Sequence, residues 1–226
     1  MNQLLSPVGS LQVEALPLGP FETNAWLLTP HEGGVTVVDP GMEAEDLLEL
    51  LDERGRSVER ILLTHGHLDH VAGCSLLVRR FGCPVHVHPA DLFLVRSLVD
   101  QGAWYGYQLE EPPAVLEALH DGQRLALGAG DVHVLHTPGH SPGGVCFLFQ
   151  TEEGPQLVCG DTLFAGSYGR TDLPGGSLRA LRRSIQERIF PMPDATRILP
   201  GHGSASTVAS ERRSNPINWC DEETDE

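Results

Sequence analysis

Residues 64–70 read Thr-His-Gly-His-Leu-Asp-His, which places His65, His67, Asp69 and His70 within six consecutive positions. Imidazole nitrogens and a carboxylate gathered this closely are the donors a divalent cation takes. Without a cation among them they would crowd one another. Farther along stand His140 in Thr137-Pro-Gly-His140, Asp161 in Gly160-Asp161-Thr162 and His202 in Pro200-Gly-His202-Gly203. Each follows a short apolar run and sits in a turn marked by Gly or Pro. Seven nitrogen and oxygen donors at the ends of strand-like runs point to one site at one edge of a sheet, and to metal-assisted hydrolysis as its chemistry.

The spacing suggests how the donors divide. His65 and His67 are two apart on an extended loop, so both rings can face one side and grip one ion. His140 would complete that set. Asp69 and His70 fall where the chain turns into a helix and suit a second ion, with His202. Asp161 is the natural bridge, since a carboxylate can give one oxygen to each cation. Two such ions lower the pKa of bound water to about 7 and polarise a carbonyl oxygen. All-nitrogen and oxygen ligation suits Zn(II) and admits Fe(II) or Mn(II). Taken singly, His140 or His202 reads as an ordinary surface histidine; the compact cluster carries the assignment. His86 and His88 also form His-x-His, but on a strand expected to have no carboxylate nearby, which favours a structural or solvent role. His31, His120, His133 and His136 lack ligand context.

The chain of 226 residues is 40% hydrophobic with a net charge of -16, enough to bury a sizeable core. That charge argues against nucleic acid as a partner, because phosphate binding rests on clustered Lys and Arg. Part of the acidity is the tail Asp221–Glu226, expected to be disordered, so the reading is one domain over residues 1–217 followed by an acidic tail at 218–226. The start of the chain lacks the pattern of a secretory signal and no apolar run reaches membrane-spanning length, so a membrane partner is not expected. The five cysteines (Cys74, Cys83, Cys146, Cys159, Cys220) lack C-x-x-C spacing and read as reduced, mostly buried thiols in a cytoplasmic protein. The sequence leaves the oligomeric state open.

Strand-like runs occupy 11–16, 25–29, 35–39, 60–64, 85–88, 124–127, 131–137, 145–150, 156–159 and 197–199. Apolar spacing predicts helices over 43–54, 71–81, 91–99 and 177–188. Residues 101–122, with Trp104, Tyr105 and Tyr107, read as irregular and as a candidate flap over the site. Periodicity alone supports a mixed α/β, sheet-rich fold.

Together, Thr64–His70, Thr137–Gly144, Gly160–Phe164 and Pro200–Gly203 resemble the motifs of the metallo-β-lactamase superfamily, in the same order. Gly169-Arg-Thr-Asp-Leu-Pro-Gly-Gly176 and Glu211–Pro216 resemble its glyoxalase II-like branch, the hydroxyacylglutathione hydrolases, in a short form without the helical C-terminal domain. The resemblance implies an αββα four-layer sandwich with a dinuclear site at one edge of the sheets. By position it implies His65, His67 and His140 on the first metal, Asp69, His70 and His202 on the second, and Asp161 between them. Asp161 stands where lactamases of the best-known type place Cys, which disfavours antibiotic hydrolysis, and Phe164 replaces a Tyr common in lactone-cleaving relatives. The implied activity is hydrolysis of a small-molecule thioester such as an acylglutathione, with Asp69 orienting the nucleophile and taking its proton. Arg170 is a candidate partner for a substrate carboxylate, with a pair to Asp172 as its alternative; Tyr168 is a candidate for the pocket wall. The main rival is a mononuclear Fe(II) persulfide dioxygenase, against which Pro200-Gly-His202-Gly203 speaks. A purely structural metal site is disfavoured, since such sites are closed tetrahedra rich in Cys.

Overall fold

The computed structural model describes residues 11–219; the acidic tail from Asp221 and Cys220 lie outside them. The first half forms a mixed sheet of β1 (Leu11–Leu18), β2 (Thr23–Pro30), β3 (Val35–Val38), β4 (Val58–Leu62), β5 (Val85–Val87) and β6 (Glu117–Ala118), in that spatial order. The pairings β1–β2 and β2–β3 are antiparallel, and those from β3 to β6 are parallel. Its crossovers carry α1 (Glu45–Glu53), α2 (Leu68–Val71), α3 (Cys74–Phe81), α4 (Leu92–Arg96) and α5 (Leu98–Trp104).

The second half forms another sheet from β7 (Arg124–Leu127), β8 (Gly130–His136), β9 (Val145–Thr151), β10 (Gly154–Gly160), β13 (Arg197–Pro200) and β14 (Ser206–Thr207), with order β14-β13-β10-β9-β8-β7. A hairpin of β11 (Leu163–Phe164) and β12 (Ser167–Tyr168) precedes α6 (Leu178–Ser184), and α7 (Val208–Ser214) follows β14.

Strand alternation shows why four layers form. On β2, Ala25 and Leu27 point into one buried cluster with Leu47 of α1, Leu77 of α3 and Leu98 of α5. Their neighbours Trp26 and Leu28 point the other way, into a cluster shared with Phe147, Phe149, Val134 and Val158 of the second sheet. Cys146, Leu157 and Cys159 turn outward from the second sheet onto Leu181 of α6 and Val208 of α7. The period of two thus gives each sheet two apolar faces, one for its partner sheet and one for helices. This is the αββα sandwich.

The structure departs from the helical spans read in the sequence at definite points. Glu43 adopts φ 55, so the first helix begins only at Glu45. The predicted helix over 71–81 is α3 alone, starting at Cys74, while α2 lies ahead of it and ends at Val71; at Gly73 between them a Cβ would sit 2.5 Å from Ala44 Cβ and 2.6 Å from Pro40 O. The stretch 91–99 breaks at Ser97, and helix α5 then runs on to Trp104, into residues read as irregular. The span over 177–188 is capped by Ser177, whose side chain accepts from Ala180 N, and it ends in a π-helical turn, Ile185–Ile189. The four described cysteines are free and buried, as the sequence suggested.

Candidate metal centre

All seven predicted donors meet at one edge of the sandwich. His65 and His67 lie on the loop leaving β4, Asp69 and His70 on α2, His140 on the β8–β9 loop, Asp161 just after β10, and His202 just after β13. Three triads, His65–His67–His140, His65–His70–Asp161 and Asp69–His70–His202, each bring their donor atoms within 4.8 Å of one another. Nε2 of His140 is 2.8 Å from Nδ1 of His67 and 3.2 Å from Nε2 of His65. Nε2 of His70 is 3.4 Å from both Asp69 and Asp161, and Nε2 of His202 is 3.2 Å from Asp69 and 3.5 Å from Asp161.

The outer atoms of these rings fix which nitrogen faces inward. Nδ1 of His140 donates to the Arg170 carbonyl at 2.7 Å, and Nδ1 of His202 to the Phe21 carbonyl at 3.0 Å. Oγ1 of Thr64 donates to Asp39 at 2.6 Å, so it accepts from Nδ1 of His65 at 3.0 Å. Asp39 also accepts from Nδ1 of His70 at 2.9 Å. Each of these four histidines therefore turns an unprotonated Nε2 toward the others when neutral. His67 presents Nδ1 instead.

This arrangement fits divalent cations on an observation internal to the protein. Nε2 of His70 and Oδ1 of Asp161 are buried without a hydrogen-bond partner, while lone pairs of three rings converge at His65, His67 and His140. Buried polar atoms ordinarily find a partner, and a cation would supply one here.

Electrostatics agree. Burial, then His140, pushes His67 down to about 3, and burial followed by the charge of His70 lowers His65. Burial opposes ionisation of Asp69 and Asp161, but the charge of His70 and contact with His202 outweigh it and hold both carboxyls below the usual range. Burial also opposes a charge on His202, yet hydrogen bonds to Asp161 and Asp69 lift it to about 10, and Asp69 and Asp39 raise His70.

Several positioning residues gave little sequence signal. Asp39, read only as the end of a strand-like run, is fully buried at φ 55 and binds Thr64 N, Thr64 Oγ1 and His70. Asp91 clamps two ligand loops together, accepting from Gly66 N at 3.0 Å, Ser141 Oγ at 2.7 Å and Gly143 N. Gln101 accepts from Leu68 N at 3.1 Å and donates to Gly66 O at 3.2 Å. Thr23 donates to Asp69 Oδ2 at 3.1 Å, and Asn24 binds the carbonyls of Pro200 and Gly203 beside His202. At Gly201 a Cβ would fall 2.3 Å from Asp161 Oδ1, so only glycine lets this loop pass.

Five of the donors, His67, Asp69, His140, Asp161 and His202, line a cavity of about 420 Å³ together with Arg170, Phe93, Trp104 and Tyr105. Trp104 and Tyr105 thus reach the site, while Tyr107 of the candidate flap packs on the first core cluster. Tyr168 corrects the sequence reading: it does not line this cavity but packs against the third core cluster. Arg170 reaches the cavity, but its guanidinium is held by Asp172 at 2.7 and 2.6 Å. His86 and His88 stay outside the triads. The former lies 3.5 Å from Glu117 on the adjacent strand, the latter stacks on His136 at 4.2 Å. Among the described residues, no helix is long and apolar enough to cross a membrane.

Comparison with known proteins agrees with this geometry. A family profile described as the Metallo-beta-lactamase superfamily matches residues 18–202. The hydroxyacylglutathione hydrolase GloC of Haemophilus influenzae is 36% identical over 211 residues, 92% of this chain and 98% of that protein. Among solved structures, TTHA1623 in a di-iron-bound form is similar with a TM-score of 0.82 at 40% identity, covering 91% of this chain and all of the other. The BLEG-1 B3 metallo-β-lactamase is similar with a TM-score of 0.85 at 34% identity, covering 92% of this chain and 100% of the other. With its motifs, sandwich and donor cage in agreement, the chain belongs to the metallo-β-lactamase superfamily.

Proposed function

We propose that the protein is a metal-dependent hydrolase that cleaves a small-molecule thioester. The observation that carries this reading is the convergence, in overlapping triads, of seven donors, five of which line an accessible cavity. His65, His67 and His140 would hold one cation and Asp69, His70 and His202 a second, with Asp161 between them. Zn(II) suits this donor set, and Fe(II) or Mn(II) are admitted. Bound divalent cations supply Lewis acidity, polarising a carbonyl oxygen and lowering the pKa of water to about 7.

The chain's own groups complete the chemistry. Asp69 is ionised, faces the cavity and is oriented by Thr23, so it can align a water molecule and take up its proton. The water oxygen bonds to the thioester carbon, the C–S bond breaks, and the electron pair leaves on sulfur. A thiol of pKa near ~8.5 is a good enough leaving group to depart as thiolate without a general acid. The 36% identical GloC, a hydroxyacylglutathione hydrolase, supports the thioester class.

The test is turnover of a thioester panel, S-lactoylglutathione included, by protein of measured metal content, with thiol release as readout. A β-lactam and glutathione persulfide serve as comparison substrates. Thiol release from thioesters at about two metals per chain is expected. Oxygen uptake with persulfide at one iron per chain, or β-lactam cleavage without thioesterase turnover, would overturn the reading.

A further inference from the structure

The cavity wall has a chemistry that the donor cage does not explain. Leu68, Phe93, Leu94, Trp104, Tyr105 and Leu173 form much of it. Three of these are apolar groups left in water: Phe93 is 48% exposed, Trp104 69% and Tyr105 48%. Large aromatic side chains gathered in the open at one mouth mark a surface that a ligand covers.

Apart from His202 at the metal centre, cationic groups on this wall are scarce. The chain contains no lysine, so arginine supplies all 15 of its Lys and Arg positions. Among the described residues, Arg170 is the one arginine on the wall of this cavity. Its Nε and Nη2 are both taken by the carboxylate of Asp172, two residues along the same loop. Asp172 thus occupies the fork that a ligand carboxylate would otherwise use. A peptide thiol such as glutathione carries two carboxylates and an ammonium, and a nucleotide thiol carries phosphates; this wall offers neither a free guanidinium nor an ammonium.

We infer that the cavity selects an uncharged thioester with an apolar chain, gripped by Phe93, Trp104 and Tyr105, and that Asp172 is a specificity-determining residue that discriminates against carboxylate-bearing thiols by occupying Arg170. The inference rests on the thioester reading for its reactive group, and on the cavity wall alone for its selectivity.

Binding of non-hydrolysable thioethers to the zinc-loaded protein, measured by calorimetry, separates the two. One compound carries a six-carbon chain on a small neutral thiol, the other the same chain on glutathione; a third moves the chain to the opposite side of the sulfur and shows which half of the ligand lies on the wall. The neutral compounds are expected to bind at least about tenfold more tightly than the glutathione compound. Phe93→Ser and Trp104→Ser alter exposed side chains, and each should weaken the neutral compounds about tenfold while metal content is kept. Asp172→Asn should improve the glutathione compound about fivefold and leave the neutral ones unchanged. Equal or tighter binding of the glutathione compound to the unaltered protein, or indifference of the neutral compounds to both serine variants, would overturn the inference. Absence of thioester turnover with this binding order intact would instead remove the thioesterase reading and leave the selectivity standing.

Discussion

Oδ2 of Asp39 lies 2.9 Å from Nδ1 of His70, and both side chains are sealed from solvent. The same carboxylate takes the backbone N–H and the hydroxyl of Thr64, which in turn orients His65. One residue just after β3 therefore sets the ring orientation of two donors. Asp39→Asn should lower metal affinity by about 10–100-fold, the usual cost of losing an outer partner. Competition with a chromogenic chelator measures it, and unchanged affinity would remove Asp39 from this role.

The two carboxylates of the cage should behave differently. Asp161 touches both halves of the donor set, so Asp161→Ala is expected to lose metal and turnover together. Asp69 is also the proposed proton acceptor, so Asp69→Ala should cost about a hundredfold or more in kcat, beyond any loss of metal. Assays at matched metal occupancy separate the effects. Full turnover by Asp69→Ala would contradict the proposed chemistry.

Cation binding should release protons. Without a cation His202 is held up to about 10 and His70 is raised, so both carry protons at neutral pH. A ligand nitrogen must be free, so loading metal at pH 7 expels these protons into solution. For His202 the sign of the stability effect follows directly. Its folded value lies above the ordinary 6.5, so its contribution to the metal-free fold is complete below pH 6.5 and lost as pH rises toward about 10. The metal-free protein should lose Tm across that window more steeply than a His202→Gln variant. Proton release is read with a pH indicator during zinc titration, and its absence would count against the electrostatic account.

Asp91 ties the His65–His67 loop to the His140 loop. Asp91→Ala leaves buried donors on Gly66, Ser141 and Gly143 without a partner, which costs on the order of 3 kcal/mol, or about 6–12 °C in Tm. Thermal unfolding of the metal-free protein measures this without interference from ligand occupancy. A change of less than about 2 °C would show that water replaces the carboxylate.

Much of this site was legible in the sequence because its donors are short-range signals. The His-x-His-x-Asp-His cluster and the turns at His140, Asp161 and His202 announce themselves by residue type and position, and the strand runs feeding them follow period two. The supporting residues carry no such mark. Asp39 reads as the end of a strand-like run, Asp91 as a helix start and Gln101 as loop, and only tertiary approach gives them work. Helix boundaries failed for a similar reason. Position 73 must be glycine because a Cβ there would collide with Ala44 and Pro40, a constraint from a segment about thirty residues earlier that local periodicity does not carry. Tyr168 failed as a wall residue because proximity in sequence to Asp161 did not reveal that its ring faces the third core cluster.

The most direct measurement is anomalous diffraction from zinc-loaded crystals, paired with metal quantification of the same sample. Two zinc peaks enclosed by His65, His67, Asp69, His70, His140, Asp161 and His202, at about two equivalents per chain, are the predicted result. Zinc bound elsewhere, or a single ion that ignores one of the two donor sets, would contradict it.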